Sequence, residues 1–241
     1  MLALILTFIL AGFVKGVSGM GLPTVVIGVL GLFMAPAEAA ALVVVPSLAT
    51  NVWQFATGPS RAALLMRVWP MLLVMAAVTW VALGLLTGSH AGTAAIALGL
   101  VLIIYAGVGL ARLHLKVPRR MELWLGPLVG AVTGVVAGAT GVFVIPAGPY
   151  LQAIGLEKED LVQALGLSFT VSTVALAAGL ASRGAFHLSA AGTSLLCTVP
   201  TLLGLFAGQW IRDKIDPETF RRIFFAGLFC LGADLAGRAI F

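Results

Sequence analysis

Charge is what this chain has least of. Charged residues make up 10% of its 241 residues. A soluble domain carries roughly 25%, and a water-facing surface needs more than is present here. Cysteine is nearly absent too. Cys197 and Cys230 both fall in apolar runs, with no metal-like spacing, and read as small buried residues rather than a disulfide. His90, His114 and His187 sit in loops or at segment edges and share no ligand spacing. No zincin-type His-Glu-x-x-His, no Gly-x-Ser-x-Gly elbow and no phosphate-binding loop occurs, so the chain does not read as an enzyme, and neither a cofactor nor a metal is expected. Apolar residues come in unbroken runs rather than alternating, which excludes a transmembrane barrel. No basic stretch precedes the apolar residues 2–10, so the start reads as a membrane segment rather than a signal peptide.

What is abundant is apolar residues, at 61%, and glycine, at 29 residues, with a mean hydropathy of +1.12. The expected fold class is all-α, a polytopic membrane protein. Hydropathy suggests about ten segments, approximately 2–17, 21–35, 37–57, 67–87, 91–111, 122–138, 141–155, 160–181, 188–210 and 219–240. The first, second, sixth and seventh are short. Each short pair either crosses tilted or dips in and turns back at its glycines.

The two short pairs carry related sequences. Gly12-Phe13-Val14-Lys15-Gly16-Val17-Ser18-Gly19-Met20-Gly21-Leu22-Pro23 opens one half, and Gly130-Ala131-Val132-Thr133-Gly134-Val135-Val136-Ala137-Gly138-Ala139-Thr140-Gly141, followed by Pro146, opens the other. Pairing Gly16 with Gly134 gives an offset of 118; pairing Ser47 with Ser168 gives 121, and the difference is assigned to a longer loop at Glu157-Lys158-Glu159-Asp160. The expected organisation is a first membrane repeat (1–111), a connecting loop (112–121) and a second repeat (122–241). With five segments each, the second repeat is inverted relative to the first.

Loop charge orients the chain. Lys15, Arg61, Arg67, Arg112, Lys116, Arg119, Arg120, Lys158, Arg212, Lys214, Arg221 and Arg222 fall on one side, and little beyond Arg183 and Arg238 on the other. The basic side is expected to be cytoplasmic, with both termini outside. The net charge of +5 therefore points to no nucleic acid.

Glycines at helical spacing let helices pack closely. Glycine-broken segments at membrane depth have a second use, because open backbone survives there only against protein or a wet cavity. Helices restarting near residues 22–24 and 141–142 would offer unpartnered N–H groups and a positive dipole end to an anion. Gly16, Gly19, Gly21, Gly138 and Gly141 shape these breaks. Ser18, Thr24 and Thr140 add hydroxyls, and Lys15 either adds charge or snorkels to the surface. Ser47, Thr50, Asn51 and Gln54 share one helical face, matched by Ser168, Thr170, Ser172 and Thr173. Such stripes either bind helices together or line a route. Asp234 is the intramembrane carboxylate, a coupling candidate unless Arg238 pairs with it locally. Glu38 and Glu122 read as solvated caps.

These motifs resemble the TauE/SafE family of sulfite exporters, also called the toluene sulfonate uptake permease family. Gly134-x-x-x-Gly138-x-x-Gly141-x-x-x-x-Pro146 follows the family's glycine-rich run and proline, and Lys15-Gly16-x-x-Gly19-x-Gly21 is similar to its lysine-bearing variant. The resemblance implies a permease of the bacterial inner membrane, a secondary transporter of a small anion such as sulfite, thiosulfate, sulfoacetate or another organosulfonate. The expected partners are that anion and the lipid bilayer, with a homodimer open. An anion channel of the same architecture and a non-transporting scaffold for complex assembly are the alternatives.

Overall fold

The computed structural model describes residues 2–87, 91–111, 115–186 and 188–240, and among these all regular structure is helical. The three histidines and Arg112 lie outside the described residues. The first half comprises α1 (Leu2–Ser18), α2 (Leu22–Leu30), α3 (Pro36–Ala56), α4 (Arg61–Ala82), the one-turn α5 (Gly84–Thr87) and α6 (Ala91–Leu110). After a 3-10 turn at Arg119–Met121 come α7 (Glu122–Thr140), α8 (Ala147–Ala153), α9 (Lys158–Ser182), α10 (Leu188–Ile211) and α11 (Pro217–Ile240). Among the described residues, six helices are long and apolar enough to cross a membrane: α3, α4 with α5, α6, α7, α9 and α10. The chain is a multi-pass helical membrane protein. α2 has 9 residues and α8 has 7. At 1.5 Å per residue they reach about 14 and 10 Å, so neither spans a ~30 Å hydrocarbon layer as a helix.

Helix boundaries follow local chemistry. α3 starts with Pro36 in its first turn and carries Glu38 near its positive end. α11 starts after Asp216, whose carboxylate accepts bonds from the Thr219 N–H (2.9 Å) and hydroxyl (2.6 Å). Glu157 precedes α9, so the acidic stretch expected to be a loop forms the first turn of that helix. Pro46 lies inside α3 and cannot bond the Leu42 carbonyl. Ser194 of α10 supplies the missing donor, its hydroxyl bonding Leu42 O at 2.7 Å and accepting the Val45 N–H at 3.1 Å.

α3 and α9 cross at the centre. Around them α1 packs on α10, α4 on α7 and α6 on α11. Glycine allows each close approach. A side chain on Gly12 or Gly16 would collide with the backbone of α10 at Thr201, Leu205 and Gly208; one on Gly130, Gly134 or Gly138 would collide with α4 at Met71, Met75 and Ala82; and Gly99 and Gly232 face each other between α6 and α11. Without a hydrophobic drive in lipid, such van der Waals seams hold the helices together. Glu122 is not a solvated cap: Arg67 binds it with two bonds of 2.7 and 2.8 Å and also reaches Ile154 O, tying α4, α7 and the end of α8 together. Cys230 is exposed rather than buried, and both cysteines are free thiols.

Gly208→Leu or Gly134→Leu should force a seam apart and cost about 3 kcal/mol or more. Reduced folded yield and a lower melting temperature in detergent, with Gly107→Leu at an open position unaffected, is the expected outcome.

Candidate anion site at the helix breaks

The two breaks share a common geometry. α1 ends at Ser18, whose hydroxyl donates back to Val14 O at 2.8 Å and accepts the Met20 N–H at 3.4 Å. α7 ends at Thr140, whose hydroxyl donates back to Val136 O at 2.7 Å and accepts the Val142 N–H at 3.2 Å. The Gly19 N–H bonds Lys15 O and the Gly141 N–H bonds Ala137 O, both at 2.8 Å. Gly19 and Gly141 have φ of 77° and 75°, a left-handed conformation that favours glycine. The bonding pattern pairs Ser18 with Thr140, Gly19 with Gly141 and Lys15 with Ala137, an offset of 122, where matching Gly16 to Gly134 gives 118.

The restarts differ. α2 begins where expected, at Leu22, after Gly21 with φ 96°. After Gly141, Val142, Phe143 and Val144 are not helical, and α8 starts at Ala147, not at 141–142. A helix this short offers little dipole, so the second break presents no helix N-terminus of the kind expected. Gly141 instead abuts α2 and α3, where a Cβ would lie 2.8 Å from Ile27 Cδ1 and 3.1 Å from Ala40 Cβ.

Lys15 does not snorkel. It is 3% exposed, and its ammonium donates to Asn51 Oδ1 on α3. Among the described residues no carboxylate pairs with it. α2 and α10 carry no charged side chain, and α3 carries only Glu38, which lies thirteen residues before Asn51 and faces out. On the neighbouring helices polar groups lack partners: Asn51 Nδ2 and Ser47 Oγ of α3 and Thr24 Oγ1 of α2 are buried and unbonded. A buried polar atom without a partner costs about 1–3 kcal/mol, more when charged. The cluster thus offers more hydrogen-bond donors than acceptors beside a buried ammonium group.

The polar stripes face inward, as their spacing required. Ser47, Thr50 and Asn51 are buried, as are Ser168, Ser172 and Thr173. Thr50 bonds its own helix at Pro46 O. Gln54 reaches across to Gly19 O (3.2 Å) and Val162 O (2.7 Å), bracing the first break. Ser168 and Ser172 both face the Met75 thioether on α4, at 3.9 and 3.3 Å. Two residues before Ser168, α9 also packs on α3, where a Cβ on Gly166 would lie 3.0 Å from Asn51 O. Gly16 and Gly138 serve helix packing. Asp234 is half-exposed and pairs with Arg238 at 2.8 Å. Sequence reasoning did not single out Gln163, which bonds Phe55 O and Ser60 N–H and joins the end of α3 to the start of α4. Nor did it find Ser194, whose signal was Pro46 and the carbonyl that proline strands.

A cavity of about 1270 Å³ opens beside the breaks. Ser18, Met20 and Val144 form part of its wall; Lys116, Lys158, Arg212 and Arg221 line it, with Asp213 as the acidic counterpart. Tyr105 packs edge-on against Phe224 and Phe225 and donates to Met20 Sδ at 3.5 Å, forming an aromatic wall at the first break.

A family model described as Sulfite exporter TauE/SafE matches residues 4–235. No curated protein and no solved structure matches the chain.

Asn51→Leu removes the acceptor and leaves the ammonium buried alone, and should cost about 3 kcal/mol or more. Lys15→Met combined with Asn51→Leu should recover most of that loss. Melting temperatures of the two single variants and the double variant test the coupling; simple additivity would contradict it.

Proposed function

The chain belongs to the sulfite exporter TauE/SafE family of membrane transporters, and from that premise we propose that it carries a small sulfur oxyanion or organosulfonate by alternating access. The observation that carries this reading is Lys15, a buried cation with no carboxylate and with unbonded donors beside it. An ammonium has three N–H groups, and Asn51 takes one. The others, with Asn51 Nδ2, Ser47 and Thr24, suit the several oxygens of a sulfite, thiosulfate or sulfonate head. Binding such an anion neutralises the charge and satisfies the orphaned atoms together.

The remaining parts of the reading fit around this site. The cation-lined cavity gathers anions from the side that carries most basic loops. By the positive-inside rule that side is the cytoplasm, the membrane is the bacterial inner membrane, and both termini face away from the cytoplasm. Two inverted halves are supported by the matched ends of α1 and α7 and by reciprocal packing, in which the first long helix of each half lies on the helix after the central one in the other (α1 on α10, α7 on α4). Burial of Lys15 among its neighbours supports a carrier, whose site is closed off between its two open states. The orphaned donors favour a ligand over a scaffold made only of packing glycines. Asp234 pairs with Arg238 on its own helix, the local ion pair that the sequence offered as the alternative to coupling.

Purified protein should melt at a higher temperature with one or more of sulfite, thiosulfate, sulfoacetate and sulfate than with chloride alone, since a ligand of the folded state stabilises it. Lys15→Met should weaken that response by about tenfold or more, as loss of a charged hydrogen bond implies. In proteoliposomes the same anion should show saturable flux. No shift with any of the anions at millimolar concentration would remove the proposal.

A further inference from the structure

The second half holds a buried polar cluster that the anion site does not use. Thr79 of α4, Thr133 of α7, and Ser168 and Ser172 of α9 are each fully buried. The hydroxyls of Thr79 and Thr133 have no partner. The elements hold these residues close. Gly134 lies so near α4 that a Cβ there would stand 2.8 Å from Met75 O and 3.0 Å from Thr79 N, and Met75, one turn before Thr79, is also the residue both serines touch.

The chemistry of this cluster is opposite to that around Lys15. It contains no N–H donor from a side chain and no fixed positive charge, and the residue corresponding to Lys15 is Ala137. The two serines direct their protons at the thioether, so their oxygen lone pairs are free to face elsewhere. Two further hydroxyl oxygens lack partners. Neutral oxygens in a closed site suit a hard cation. No carboxylate is at hand to offset a divalent charge: α4 has none, Glu122 of α7 is bound to Arg67, and Glu159 and Asp160 lie at the far N-terminal end of α9.

We propose that Thr79, Thr133, Ser168 and Ser172 hold a sodium ion. The first half then carries the Lys15 ammonium group and the second an exchangeable cation. Its use in coupling rests on the transport reading above, but its binding does not.

The test therefore leaves out any sulfur anion. Purified protein is melted in NaCl and in choline chloride at constant chloride and ionic strength, and retention of 22Na+ is measured on the same sample. The expected result is a saturable rise of about 3 °C or more with sodium, together with bound 22Na+. Thr133→Val and Ser172→Ala, two changes of little volume, should each weaken the apparent sodium affinity about tenfold or more. Identical melting in the two salts with no retained 22Na+ would overturn the assignment. So would variants that respond to sodium as the wild type does.

Discussion

A bilayer gives a broken helix nothing to bond with. Several interruptions in this chain are answered by side chains of the protein itself, and the rest of the structure depends on how. Ser18 and Thr140 close the ends of α1 and α7 by the same two bonds. Gln54 covers the carbonyl of Gly19. Ser194 serves the carbonyl stranded by Pro46. Gln163 binds the turn between α3 and α4. These side chains come from distant segments, so the breaks and the central crossing of α3 and α9 specify one another.

Against that background the groups left without partners stand out. Among the described residues they fall in two places: Thr24, Ser47 and Asn51 on α2 and α3, and Thr79 and Thr133 on α4 and α7. The two places differ in sign of demand, one rich in donors and positive, the other made of neutral oxygens.

Much of this was legible in the sequence. Scarce charge and long apolar runs define a helical membrane protein. Left-handed glycines, the stripe from Ser47 to Gln54 and the lone Lys15 mark the first site, since their spacing fixes which face they share. Matching glycine to glycine does not find the likeness of the two helix ends, because the hydroxyls that bond alike there, Ser18 and Thr140, are of different residue types. The start of α8 was also misplaced: nothing local in residues 142–144 forbids a helix, and their burial among other elements decides their form. Thr79 and Thr133 are isolated in apolar runs, so only assembly of α4, α7 and α9 reveals them as neighbours. Glu122 carries no mark of its partner, because Arg67 lies 55 positions away.

The glycine seams bear on how such a molecule moves. α1 leans on α10 and α7 on α4, so helices from residues 1–111 and 122–241 are packed against one another in two places. Surfaces of bare backbone and small side chains are smooth, however, and one helix can slide along another without lifting out of contact. Displacement by shear, spread over long flat tracks, is the mode this architecture permits.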